Sequence, residues 1–166
     1  MRASLVWLLA LGVVWVILQP SATPLRACGV IQLAHTAAPA IPVEIASHAL
    51  SRARGLANRS APPAGRAMVL LYEPPRLATL TFRQTLVDLD VVFVAPDGSI
   101  WDVHPYVPAG SVQPVTSSGR VQAAIELAAG EAKRLGLVPG VVLAPVERYP
   151  DEATLDDTDG SSPCWR

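Results

Sequence analysis

The sequence is short of aromatic residues, of charge and of lysine. Aromatic residues make up 5% of the chain and charged residues 16%, and Lys133 is the only lysine among 13 basic residues. A typical soluble domain has about 25% charged residues. The core must therefore be built from aliphatic side chains. With a formal net charge of −1, the chain has no excess of positive charge to attract nucleic acid, so nucleic acid is not an expected partner.

Motifs of several large enzyme classes are absent. There is no G-x-S-x-G, no phosphate-binding glycine loop and no C-x-x-C. Asp88 and Asp90 share one face of a predicted strand, and such a carboxylate pair can support acid–base hydrolysis. Asp102 and His104 share a face in the same way, but a metal site needs three or four ligands and no third is evident. We therefore expect no metal and no cofactor.

One long apolar run begins the chain. Residues 5–18 are 14 consecutive apolar residues after Arg2. At about 1.5 Å per residue, a helix of this length is too short for a hydrocarbon core of about 30 Å. The pattern is typical of a secretory signal peptide, with an uncleaved anchor as the alternative. Residues 1–27 are thus predicted to be a signal peptide or an N-terminal membrane anchor. The rest should be periplasmic or extracellular, and it contacts the membrane only if this segment is retained.

The two cysteines, Cys28 and Cys164, lie near the two ends of the exported chain. In an oxidising compartment such a pair is usually joined, which predicts a disulfide; two free thiols are the alternative. Residues 28–149 are left for a single β domain, and residues 150–166 form an acidic tail that ends near Cys164.

Short β-type runs separated by Pro and Gly fill the domain. The clearest signal is a hairpin, because residues 89–95 and 99–103 flank the turn sequence Pro-Asp-Gly. Further strands are predicted at 29–33, 41–46, 67–72, 77–82, 121–127 and 141–146, short helices at 47–59 and 129–136, and a loop at 105–120. Strands and helices do not alternate. The predicted fold class is mainly β, an antiparallel β-sandwich or small barrel with one or two short helices.

Several short motifs follow one another in a fixed order. They are RARGLANR at 52–59, MVL at 68–70, TFRQT at 81–85, LVDLDVVF at 86–93, DGSI at 97–100, VQAAIELAAG at 121–130 and RLGLVPGV at 134–141. In this order they resemble the domain-of-unknown-function 192 family over about residues 41–145. The resemblance implies a small secreted or membrane-anchored β protein without an established activity. Alphaproteobacterial members often carry one cysteine after the leader and another near the C-terminus, which matches Cys28 and Cys164.

The chain departs from the family pattern in the TFRQT segment. Thr81 replaces a family Trp, Phe82 a Met and Gln84 an Asn, and Asp88 stands where the family has Pro. An aromatic platform that relatives have at Thr81 is therefore missing here. The family Pro also excludes a catalytic Asp88–Asp90 pair shared with relatives.

The best candidate site is a polar set that largely keeps the residue types of the family pattern. Its members are Arg59, Arg83, Gln84, Thr85, Asp90 and Glu126. Asp90 and Glu126 are embedded in apolar strands, where an unpaired carboxylate is costly, so each needs a partner. Arg59 or Arg83 could supply a bidentate one. Two interpretations follow: a structural ion-pair network that fixes the loop after Phe82, or a pocket for a small anionic or sugar-like ligand.

We favour a non-enzymatic periplasmic binding or accessory module that uses the loop after Phe82 and Glu126 as its contact surface. One alternative is an envelope hydrolase acting through Asp90 or Asp88. Another is a structural component of an envelope assembly, whose partner would be an envelope protein. An exposed aromatic patch at Trp101 and Tyr106 would favour this last function.

Overall fold

The computed structural model describes residues 27–148 and Cys164. The predicted leader and acidic tail lie outside the described residues, except for Ala27 and Cys164. In the described part of the chain, no helix is both long and apolar enough to cross a membrane.

The domain is a mixed β-sheet with two short helices. In chain order its elements are β1 (Ala27–Ile31), β2 (Ile41–Ala46), α1 (Ala49–Arg54), β3 (Ala67–Leu80), β4 (Leu89–Val94), β5 (Ile100–Val107), β6 (Val115–Ala128), α2 (Glu131–Arg134) and β7 (Glu147–Arg148). The seven strands lie in the order β5-β4-β6-β3-β2-β1-β7. This confirms the mainly β class with short helices, and the sheet is not closed into a barrel.

One pair of strands differs from the predicted antiparallel pattern. β2 and β3 are parallel, with Val43 opposite Ala67 and Ala46 opposite Leu70. The chain crosses between them through α1, so β2-α1-β3 is the kind of crossover that parallel strands require. The prediction that strands and helices do not alternate missed this unit, because the order of elements along the chain does not show which strands pair. The helix is also shorter than predicted. Gly55, with φ 48, stops the helix that was expected to continue to Arg59.

Both faces of the sheet are buried. All six residues of β4 are buried, which explains why LDVVFV is almost continuously apolar. Side chains of β3 alternate between the two faces. We call the cluster that contains Val69 and Leu71 the first core, and the cluster that contains Met68, Leu70 and Tyr72 the second core. The second core also includes Leu56, which follows α1, so this helix and its loop cover that face.

Two predicted strands are in fact one. The strands expected at 67–72 and 77–82 form the single strand β3. The loop expected at 105–120 is partly strand, because β6 already begins at Val115. The β3–β6 register shifts between Leu71 and Arg76, and this irregularity accommodates the two prolines between them. Residues 76–80 of β3 and 115–121 of β6, which we call the outer arm, contribute Ala78 and Val121 to the second core.

The last predicted strand forms only isolated bridges. Leu143 bridges Leu33 and Val142 bridges Ser99. Backbone hydrogen bonds run from Ala34 N to Val142 O (2.8 Å) and from Leu143 N to Gly98 O (2.9 Å). Residues 140–144 thus connect the end of β1 to the turn between β4 and β5, on the side of the first core.

The predicted disulfide between Cys28 and Cys164 is present, with a Cα–Cα distance of 5.3 Å. The Arg66 guanidinium donates a hydrogen bond to the carbonyl oxygen of Cys164 at 3.1 Å. The bond is consistent with an oxidising compartment outside the cytoplasm.

Trp101 and Asp102 fasten the outer arm to β5. The Asp102 carboxylate accepts hydrogen bonds from the Ser118 N–H (2.9 Å) and from the Ser118 hydroxyl (2.7 Å). The Trp101 ring packs on Gly119 so closely that an ideal Cβ there would lie 2.0 Å from Cζ3 of the ring. Trp101 is 43% exposed and Tyr106 is 66% exposed. The Trp101 ring nevertheless has a role within the domain, because it packs on Gly119.

We expect Gly119→Ala to lower the free energy of unfolding by about 1–3 kcal/mol, because the methyl group must displace the Trp101 ring. Urea denaturation measures this. In a Trp101→Ala background the same substitution should cost little. An equal cost in both backgrounds would show that the ring is not what the methyl group meets.

Candidate functional site

A row of three titratable residues crosses the second-core face of the sheet. Glu44 pairs with Met68, and Met68 pairs with Glu126. Glu126 pairs with Val91, which in turn pairs with His104. Residues that pair directly across a sheet point to the same face. We call Glu44, Glu126 and His104 the polar row.

Arg59 forms its bidentate ion pair with Glu44. The two guanidinium–carboxylate distances are 3.0 and 2.9 Å, and both side chains are buried. Glu44 was not in the predicted set. Its strand, IPVEIA, alternates Ile, Val and Ile with other residues, a pattern typical of a strand with one solvent-exposed face. That second face is covered here by α1 and its loop, so Glu44 is buried and has an arginine as its partner.

Glu126 lies beneath the end of α1. A Cβ placed on Gly55 would be 3.3 Å from Oε2 of Glu126, so the helix end and the carboxylate are in close proximity. Tyr72 lies on the same face, with the guanidinium carbons of Arg52 and Arg76 at 5.5 and 6.0 Å from its ring centroid. Burial, and then the negative charge of Glu126, raise the pKa of Tyr72 to about 12; the two arginines act in the opposite direction.

This raised pKa predicts a loss of stability at high pH. Below pH 10 the Tyr72 hydroxyl is protonated in both folded and unfolded chains, so its contribution is fully present. Between pH 10 and 12 the unfolded chain releases the proton while the folded chain keeps it. The free energy of unfolding should therefore fall by about 2–3 kcal/mol over this range.

Urea denaturation at stepped pH checks this expectation, with Tyr72→Phe as the matched variant. In Tyr72→Phe, the free energy of unfolding should not show this part of the decline between pH 10 and 12. A spectrophotometric titration should show a late-ionising tyrosine in the wild type that is missing in the variant. Identical profiles for the two proteins would contradict the assignment.

Asp90 is held by the main chain. One carboxylate oxygen accepts the Tyr106 N–H at 3.0 Å and the other accepts the Ala132 N–H at 2.9 Å. Tyr106 has φ 56 at an irregularity in the β4–β5 pairing. These two amide donors satisfy the buried carboxylate in place of the arginine that the sequence suggested. Asp90 thus ties β5 to the start of α2.

The loop after Phe82 is also fixed through its backbone. Asn58 N donates to Gln84 O at 2.7 Å, and Gly110 N donates to Thr85 O at 2.9 Å. Thr85 is buried, whereas the side chains of Arg83 and Gln84 are exposed. Within residues 27–148 and Cys164, the Arg83 side chain makes no hydrogen bond or ion pair.

The predicted polar set is therefore divided. Glu126 belongs to the polar row, and Arg59 is ion-paired with Glu44 of that row. Asp90 lies at α2, Thr85 is buried in the loop after Phe82, and the side chains of Arg83 and Gln84 face solvent. That any of the six binds a ligand stays a prediction. Among the described residues, no group of three or more His, Cys, Asp or Glu side chains could hold a metal ion.

A cavity of about 480 Å³ opens on the other face of the sheet, against the first core. It lies between the turn at residues 95–98 and the segment 143–148. Its floor is aliphatic, and we call it the first-core cavity; the floor side chains are Ile31, Val69, Leu71, Val94, Ala123, Ile125, Leu143 and Val146. Its polar lining residues are Glu73, Asp97, Gln122 and Arg148.

None of the six predicted site residues lines this cavity. Its walls come from separate segments of β1, β3, β4, β6 and the C-terminal end of the domain. Each segment has the pattern of an ordinary core strand or turn, so no local signal in the sequence could have indicated the cavity.

A mixed β-sheet of this order, with both faces buried and a crossover through a six-residue helix, defines a small disulfide-linked β domain. The chain matches the DUF192 family, described as "Uncharacterized ACR", over residues 31–144, and it belongs to this family. The resemblance that the motifs indicated is thereby confirmed.

Two solved structures are similar to this fold. One, from Sinorhizobium meliloti 1021, is described as a putative transcription regulator; it is 28% identical, with a TM-score of 0.64, over 72% of this chain and 92% of that one. The other, a protein of unknown function from Novosphingobium aromaticivorans DSM 12444, is 24% identical, with a TM-score of 0.63, over 76% and 89% of the two chains. No curated protein matches the chain.

Proposed function

We propose that this domain is a non-enzymatic binding module that works outside the cytoplasm and takes a small ligand into the first-core cavity. The observation that carries the proposal is the cavity itself. Its volume of about 480 Å³ falls within the range of roughly 300–1,000 Å³ of small-molecule sites. An aliphatic floor with a few polar groups is the usual composition of such a site. The Cys28–Cys164 disulfide supports the extracytoplasmic location.

Binding is favoured over hydrolysis by the environment of the two candidate carboxylates. Both oxygens of Asp90 already accept backbone hydrogen bonds. Asp88 is exposed, and its Oδ1 accepts the Ala109 N–H at 2.8 Å. Neither residue lines the cavity. The similar Sinorhizobium protein, a putative transcription regulator, suggests regulation of transcription as another function, but the net charge of −1 gives this chain no attraction to DNA phosphates.

The proposal can be tested by filling the cavity from its floor. Ala123→Leu places a larger side chain in the empty volume, and Ala109→Leu, at an exposed position, is the matched control. We expect Ala123→Leu to cost less than about 1 kcal/mol of stability, because the new side chain enters free space; overpacking would cost about 1–3 kcal/mol.

The binding measurement uses the uncharged fluorescent probe N-phenyl-1-naphthylamine, so that its binding does not depend on the charges that line the cavity. Its emission should rise with wild-type protein and with Ala109→Leu, and the rise should be lost with Ala123→Leu. Equal emission with all three proteins would overturn the cavity as the binding site.

A further inference from the structure

We propose that the ligand of the first-core cavity is an amphiphile, with an aliphatic chain on the cavity floor and a cationic head group at its polar side. The inference rests on the proposed function, since it assigns a ligand class to the same cavity. It replaces the small anionic or sugar-like ligand that the sequence led us to expect.

The floor favours an aliphatic chain. Its eight side chains are Ala, Val, Leu and Ile, and none of the described lining residues is aromatic. Sugars and nucleobases are commonly held by stacking on aromatic rings, and this cavity has no such platform. Methylene groups need no polar partner and gain dispersion and hydrophobic free energy against an aliphatic wall.

The charges that line the cavity favour a cationic head group. Two carboxylates, those of Glu73 and Asp97, and one guanidinium, that of Arg148, line the cavity. Asp97 accepts hydrogen bonds from the N–H (2.9 Å) and the hydroxyl (2.7 Å) of Ser99, which hold the pKa of its carboxyl below the usual range, so it stays ionised at neutral pH. Neither Glu73 nor Arg148 forms an ion pair with a described residue. The lining thus carries a net negative charge, which acts over about 8–10 Å at moderate ionic strength.

The test is a calorimetric titration of the wild-type domain with n-alkylamines of six to twelve carbons, kept below their micelle concentrations. Matched fatty acids and alcohols are the comparison. We expect affinity to rise about fourfold per methylene until the cavity is full. At equal chain length the amine should bind more tightly than the acid, and the difference should shrink as salt is added.

Two variants locate the two parts of the ligand. In Ala123→Leu, affinity should stop rising at a shorter alkyl chain than in the wild type. In Ala109→Leu, it should stop rising at the same chain length as in the wild type. Glu73→Gln should reduce the preference for the amine over the acid without changing the gain per methylene. Tighter binding of the acids would overturn the cationic head group.

The outcomes also separate this inference from the proposed function. Fluorescent probe binding that depends on Ala123, with no dependence on alkyl chain length, would leave the binding site standing and reject the aliphatic ligand. If neither the fluorescent probe nor the alkyl compounds respond to Ala123→Leu, both proposals fail.

Discussion

Reduction of the Cys28–Cys164 disulfide is expected to lower the free energy of unfolding by about 4–5 kcal/mol. The two cysteines are 136 residues apart, so the bond closes a loop that spans the whole domain. In the loop-entropy model, a cross-link of this length removes conformational entropy from the unfolded state and so raises its free energy by that amount. Small domains are stable by only about 5–15 kcal/mol, so the reduced protein should be markedly weakened.

Urea denaturation with and without reductant measures the effect. The control is the Cys28→Ser/Cys164→Ser double variant, which should unfold like the reduced wild type and should not respond to reductant. A thiol count on the purified protein, performed first, should find no free thiol. If the curves of oxidised and reduced wild type coincide, the bond contributes nothing to stability.

Loss of the Arg59 guanidinium is expected to lower the free energy of unfolding by a similar amount. Arg59→Met leaves the carboxylate of Glu44, which is 1% exposed, without its bidentate partner. Breaking a buried ion pair from one side typically costs about 3–5 kcal/mol. The Glu44→Met/Arg59→Met double variant should recover much of the loss, because two apolar side chains of similar length can replace a buried pair at little cost.

Arg83→Ala is the control for this prediction. The sequence indicated that Arg83 could be a partner in the same network, but its side chain is exposed and makes no polar contact with the described residues. We therefore expect a change within about 0.5 kcal/mol. Two results would contradict the ion pair. One is a loss of stability for Arg83→Ala as large as that for Arg59→Met. The other is a loss in the Glu44→Met/Arg59→Met variant equal to the sum of the losses in the two single variants.

The two faces of the sheet differ in how their polar groups are used. On the second-core face, Arg59 is paired with Glu44 under α1, and Asp90 is held by backbone amides. These residues stabilise the cover of the sheet, which accords with the structural interpretation of the polar set. On the first-core face, buried aliphatic side chains form the floor of a cavity. This contrast is the basis of our proposal that a ligand binds in the first-core cavity, whereas the contacts of Arg59 and Asp90 lie within the domain.

The sequence by itself determined the features that depend on neighbouring residues. The β4–β5 hairpin was predictable because Pro96-Asp97-Gly98 is local turn chemistry, and Gly98 does adopt φ 85. The mainly β class followed from short apolar runs. The disulfide is a long-range contact, but it was predictable because a chain with two cysteines allows only one intramolecular pairing. The motif order was sufficient to indicate the family.

Only the tertiary structure decided which strands became neighbours and which face each polar residue occupies. Glu44 lies in a strand that alternates apolar and other residues, and this pattern does not show what covers the second face of the strand. The loop that buries Glu44 lies farther along the chain. The parallel β2–β3 pair and the first-core cavity likewise depend on segments that are distant in sequence. A strand's pattern shows that it has two faces, but what covers each face is set by long-range pairing, and no local pattern carries that information.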